Sequence, residues 1–258
     1  MRTLEISTDA RGVVYVTLDR PEKRNALSAE MIADLTEMAT TIGGSSKSRA
    51  IVLKGRGKAF CAGGDLDWMK QQIDADRKTR IKEARKLAEM LKALNEMPTP
   101  LIGQIHGAAM GGGVGMACVC DLAIADQDTN FGLTETRLGL IPATISPYVI
   151  ARMGEGMARR VFMSSRIFKG AEAEKLGIIA RSVCADDLER AVEEEVAPYL
   201  SVAPEAVGAA KALARRLGPK IDEATIDETI ERLADTWEGK EARLGIEAFL
   251  AKTKAPWA

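Results

Sequence analysis

Apolar and polar positions alternate through residues 4–7 and 13–18, on either side of Asp9-Ala10-Arg11-Gly12, which predicts a β-hairpin. A helical period follows, with Ser28 as N-cap, Met31, Ile32, Leu35, Met38, Ala39 and Ile42 on one face, and Gly43-Gly44 as the stop. The intervening residues 21–27 read as too polar for a core. Residues 50–54 (AIVLK) form a continuous apolar run, the pattern of a buried strand. From residue 70 to 92 charge dominates, yet Ile81, Ala84, Leu87, Leu91 and Leu94 recur at helical spacing, which predicts an amphipathic helix with a solvated outer face. Pro98 and Pro100 end it. Beyond residue 151 the text is helical, in units at 153–163, 171–176, 188–200, 204–217 and 221–237, with one strand-like run at 178–183. A boundary near residue 195 divides an α/β core (residues 1–195) from a helical tail (196–258). That tail is too small to hold a core alone and is expected to pack on a neighbouring subunit.

Two stretches depart from ordinary periodicity. Residues 100–125, PLIGQIHGAAMGGGVGMACVCDLAIA, run from an apolar strand through a loop of small residues into an apolar stretch suited to a buried helix. Residues 50–68 repeat the plan: strand, turn, the small-residue loop FCAGGDL, then a helix beginning at about Trp68. Consecutive glycines allow a backbone to come close to another group or to take φ > 0. The N–H groups that open a helix have no partner inside it and carry the positive end of its dipole. Two such junctions side by side can aim two main-chain N–H donors at one oxygen, the arrangement of an oxyanion hole.

Composition narrows the field. A chain of 258 residues with 46% hydrophobic and 28% charged residues can bury a sizeable core, and a formal charge of −1 leaves no footprint for nucleic acid or an anionic membrane. No run reaches the length of a membrane span, and Met1 opens directly onto a strand-like LEIS without the pattern of a signal peptide, so a cytoplasmic protein is expected, or a matrix protein in a eukaryotic host. Cys61, Cys118, Cys120 and Cys184 lack CxxC spacing and read as small buried hydrophobes, with neither disulfide nor metal expected. The dinucleotide pattern GxGxxG fails after Gly115, and a P-loop fails at Val52 and Ala59. The lone His106 has no Ser or Cys in register and reads as a backbone anchor. Glu135 is the sole carboxylate in an otherwise small and apolar stretch, which argues for partial burial and a raised pKa suited to proton transfer.

At FCAGGDL (residues 60–66), HGAAMGGGVGMACVCDLAIA (106–125) and FGLTETRLGLIP (131–142) the chain resembles the crotonase, or enoyl-CoA hydratase/isomerase, family. RPEKRNAL (20–27) and GIEAFLAKTKAPW (245–257) fall in the same order and spacing. The resemblance implies a repeated ββα spiral core with C-terminal helices that build a homotrimer, or a hexamer as a dimer of trimers. It implies an acyl-CoA thioester as substrate, with coenzyme A part of that substrate and no separate cofactor. By the family's pattern the oxyanion donors are the amides of Gly64 and Gly112, and Glu135 is catalytic. Arg24, Ala26, Ala62, Asp65 and Leu66 would border the CoA moiety, with Phe249 and Lys252 reaching in from an adjacent subunit. Asp121 reads as structural.

One departure bears on mechanism. Hydratases of this family carry a second glutamate in the helix after the triple glycine, where this chain has Gly115. Hydration of an enoyl-CoA is the first expectation, because residues 139–149 (GLIPATISPYV) resemble bacterial hydratases of branched or glutaconyl-type substrates. The vacated position is expected to leave room for a bulkier or carboxylated acyl head. Alternatives are Δ3,Δ2-enoyl-CoA isomerisation by one glutamate, hydrolysis or decarboxylation within the family, and a non-catalytic acyl-CoA binder or RNA-associated paralogue.

Overall fold

The structure is a computed structural model describing residues 1–258. Its centre is a six-stranded sheet in the order β1 (Leu4–Thr8), β2 (Val13–Leu18), β3 (Ala50–Gly55), β4 (Leu101–Ile105), β6 (Leu122–Asp126) and β9 (Arg181–Val183). Only the β1–β2 hairpin is antiparallel. Asp9 closes it by accepting from the Arg11 and Val13 amides at 2.9 and 3.0 Å. The apolar run of β3 is buried on both faces. Ile51 and Leu53 enter the main core, whereas Ala50 and Val52 enter a smaller one beneath α7 (Leu188–Val196). Alternation of side chains across the strand thus serves two cores at once.

A second sheet was not legible in the sequence. It joins β5 (Ala108–Met110), β7 (Asn130–Gly132) and β8 (Ile167–Lys169), each three residues long and too short to show a period. The helix expected after Ser28 is α1 (Ala29–Thr41), and the Ser28 hydroxyl accepts the Met31 amide at 3.2 Å. Residues 21–27 correct the expectation that the segment is too polar for a core. Asn25 has no exposed surface and Leu27 is buried. Asn25 adopts φ 54°, and its side chain donates to the Arg56 and Ala59 carbonyls and accepts the Arg20 amide, so a polar residue becomes core by replacing main-chain partners.

The charged stretch is two helices, α2 (Leu66–Asp74) and α3 (Arg77–Glu96). Asp76 caps α3 at the Thr79 amide, and Arg80 donates back to the Gln72 and Ile73 carbonyls at the end of α2. The outer face of α3 is not simply solvated. Arg77 pairs with Glu231, Asp235 and Glu238 at 2.6–2.8 Å, Arg85 with Asp227, and Lys92 with Glu223, all carried by α9 (Glu223–Glu238). Ile226 and Ile230 add an apolar strip against Ala84 and Ala88.

This corrects the expectation that the tail packs on another copy. α9 and α10 (Lys240–Leu250) lie on their own chain, because the charges and apolar residues that match them are on α3, α2 and the loop before α5 (Ser146–Phe162). By contrast α8 (Pro204–Leu217) buries none of its residues, and Leu213 and Leu217 are exposed. Lys211 ties α8 to the sheet through a 2.7 Å ion pair with Asp121, which also accepts the Leu101 amide. Asp121 is structural, as expected. Cys61, Cys118 and Cys120 are buried, and Cys184 is exposed. No helix is long and apolar enough to cross a membrane.

Candidate active site

β3 delivers the chain to loop 60–64 and then to α2, and β4 delivers it through β5 to α4 (Gly112–Val119). The two loops are laced together. Phe60 donates to the His106 carbonyl at 2.9 Å, Cys61 to Ala108 at 3.0 Å, and Met110 back to Cys61 at 3.0 Å. Cys61 and Ala109 form a parallel bridge, and three residues further along each segment lie Gly64 and Gly112. Neither the Gly64 nor the Gly112 N–H has an acceptor within the protein. Gly112 opens α4 and has no side-chain cap before it, so its free donor follows from helix geometry. His106 supports the loop by a 2.8 Å hydrogen bond between its Nε2 and the Gly57 carbonyl, as a backbone anchor should.

Glu135 begins a 3₁₀ turn (Glu135–Leu138) that follows β7. Gly111, at φ 48°, donates to the Gly132 carbonyl at 2.9 Å, and a Cβ on Gly111 would lie 2.8 Å from Glu135 Oε1. The carboxyl is therefore seated against the turn that precedes the free Gly112 amide. Although Glu135 is only half-buried as a residue, its Oε2 is sealed from solvent and has no hydrogen-bond partner. Burial pushes its pKa up to about 7, opposed only by its own main-chain N–H. Gly64, Gly112 and Glu135 all line one cavity of about 190 Å³, whose other walls are mainly apolar and carry no cation.

Gly115 is buried one turn into α4, and the space beside it is taken. A Cβ there would stand 2.5 Å from Cγ2 of Ile145 and 3.7 Å from Leu91. The expectation of extra room at that position is thus corrected: the neighbouring Ile145, itself a wall of the cavity, has closed in. Sequence reading missed this because Ile145 lies thirty residues away, in a loop without period.

The residues expected around CoA divide. Ala62 and Leu66 line the cavity, with Leu66 exposed at its rim. Arg24 is exposed at φ 51° and its carbonyl accepts the Ala62 amide, which places it beside the same loop; Ala26 is buried next to it. The Asp65 carboxyl is already engaged, capping α2 at the Asp67 amide and pairing with Arg20 at 2.9 Å. Burial raises its pKa, but the Arg20 guanidinium and the Asp67 amide outweigh that and hold it below the ordinary value. Phe249 lines the cavity of its own chain, since α10 folds back. Lys252 is exposed just beyond α10 and is not part of the wall. Trp68, Trp237 and Leu233 complete the apolar wall, the last two from the helix that the sequence placed on another subunit.

Two free amides and a carboxyl with one buried, unpartnered oxygen, lining one cavity on this sheet and helix plan, define a crotonase-fold protein. The profile described as enoyl-CoA hydratase/isomerase matches residues 8–258, and the chain belongs to that family. It is 31% identical over 241 residues to the enoyl-CoA hydratase AKT6-1 of Alternaria alternata, across 92% of this chain and 78% of that one. Among solved structures it resembles an enoyl-CoA hydratase from Shewanella pealeana, with TM-score 0.81, 35% identity, and 99% and 96% of the two chains covered. Pseudomonas aeruginosa AtuE is similar at TM-score 0.80 and 37% identity, with 99% of each chain covered.

Proposed function

We propose that the chain is an enoyl-CoA hydratase that adds water across C2=C3 of an α,β-unsaturated acyl-CoA thioester. The observation that carries this reading is the Glu135 carboxyl, its Oε2 unpartnered and sealed from solvent, against the turn that leads into the free Gly112 amide. The thioester oxygen gains negative charge as C3 is attacked, and the Gly64 and Gly112 amides receive it. Losing one such donor typically costs about 3 kcal/mol in the barrier. Glu135, ionised, takes a proton from water as the water oxygen bonds to C3. It then returns that proton to C2 of the enolate, so one water is added and the carboxylate is restored. A pKa of about 7 suits a group that must both accept and donate near neutral pH. Arg24, Ala26, Ala62 and Leu66 border the CoA, with Phe249 and Lys252 at the outer end; Asp65 shapes the loop. CoA is part of the substrate, and the chemistry needs no further cofactor. In this reading the protein is cytoplasmic, and the exposed face of α8 joins copies into a homotrimer or hexamer.

The filled space at Gly115 favours one alternative, Δ3,Δ2-enoyl-CoA isomerisation, which needs a single carboxylate to take a proton from C2 and deliver it to C4. Crotonyl-, 3-methylcrotonyl-, 3-methylglutaconyl- and 3-hexenoyl-CoA followed by absorbance separate the two. Loss of the enoyl band means hydration, and its appearance from the 3-enoyl thioester means isomerisation. Inertness toward all four would remove both readings.

A further inference from the structure

The carboxyl of Glu135 is held by no other side chain: Oε2 has no partner. Its position is therefore set by the main chain of its turn, and that turn is gripped from outside by α10. A Cβ on Gly139, which closes the turn at φ 69°, would lie 2.4–2.6 Å from main-chain atoms of Glu241 and Ala242. A Cβ on Gly245, one helical turn along the same face of α10, would lie 2.6–2.7 Å from the Leu138 carbonyl group. Glycine on each partner thus allows main chain to rest on main chain, the closest packing two elements can reach. Ala242, between these contacts, has no exposed surface. The turn is also tied by a hydroxyl contact between Thr136 and Ser165, by β7 behind it, and by Leu138 in the apolar cluster with Met69 and Trp237, but only α10 meets it main chain to main chain at both Leu138 and Gly139.

We infer that α10 is the positioning element of the catalytic carboxylate, with Gly139 and Gly245 as positioning residues that set where Glu135 stands relative to the Gly112 amide. This rests on Glu135 being the acid–base group. The same helix supplies Phe249 to the cavity, but through its far end, so the grip on the turn and the contact with the ligand are separable.

The test compares full-length wild type with Gly245→Ala, Gly139→Ala, Glu135→Gln and, as a control on the outer face of α10, Leu244→Ala. Gly245→Ala and Gly139→Ala are expected to lower kcat for the best thioester by roughly ten- to a hundredfold, the scale of about 1 Å of misplacement, while KM stays within about twofold. The pH–rate midpoint should fall from about 7 toward the ordinary carboxylate range as the carboxyl leaves its apolar seat. Leu244→Ala should match wild type. If the added methyl groups prevent folding, Ala242→Gly loosens the same contact and should reproduce the loss of kcat and the shifted midpoint. Wild-type kcat and pH profile in the folded variants, with Glu135→Gln inactive, would overturn the positioning role alone. Full activity in Glu135→Gln would instead overturn the acid–base reading beneath it.

Discussion

Ile145 stands where a side chain on Gly115 would have to go, with its Cγ2 2.5 Å from the Cβ position. Cavity and helix are close-packed at this point. Gly115→Glu should therefore not create a two-carboxylate site; it should destabilise the fold by about 1–3 kcal/mol through overpacking and lower turnover. Urea unfolding and the thioester assay together check this, and a variant both stable and faster would show that the space is open.

Replacing Glu135 by Gln keeps shape and removes the proton carrier. Turnover should fall at least roughly a hundredfold, the scale of general acid–base catalysis, with acyl-CoA affinity measured by calorimetry unchanged. Equal losses in affinity and turnover would assign Glu135 to binding instead.

The raised pKa of Glu135 has a signed consequence for rate and for stability. Hydration begins with the carboxylate and restores it, so by reversibility dehydration begins with it too, and both rates should climb as pH rises through about 7. For folding, the native chain holds this proton between the ordinary value of 4.5 and about 7 while the unfolded chain has lost it. Stability is thus highest below the lower value and drains away as pH rises to the upper one, by on the order of 3 kcal/mol. Glu135→Gln lacks that loss and should be more stable than wild type at pH 8 but not at pH 4.5. Denaturant midpoints at the two pH values measure the difference.

Gly112→Pro deletes a donor at the first residue of a helix, the one helical position where proline is commonly accepted. Turnover should fall by roughly 10²–10³, the effect of losing one oxyanion donor, with far-ultraviolet circular dichroism retained. Turnover near that of wild type would take the amide out of the mechanism.

Arg77 faces three carboxylates of α9, and Arg77→Ala should lower the urea midpoint only slightly, since exposed ion pairs contribute little. The difference from wild type should shrink in about 1 M salt, where screening acts over a few ångströms. A deficit that ignores salt would mean that the arginine stem, and not its charge, holds the helix.

Most of the frame was legible because period and punctuation are local. The hairpin at Asp9, the cap at Ser28, the buried run of β3 and both glycine loops follow from residues close in sequence. Glu135 was singled out as an isolated carboxylate and by the family resemblance, and the amides of Gly64 and Gly112 by that resemblance; the structure brings all three to one cavity. What stayed hidden is non-local: the three-residue strands of the second sheet, the apolar Ile145 beside Gly115, and the acids of α9 that answer the cations of α3. Asn25 was misjudged because a buried amide looks like a loop residue until its partners are known.

Because α9 and α10 fold back over the chain that carries them, a single copy supplies cavity wall from Glu135 to Phe249. On the hydratase proposed above, catalysis would not wait for assembly. A preparation diluted until its copies separate should still turn over substrate, and two copies with different acyl preferences could share an assembly without mixing their pockets.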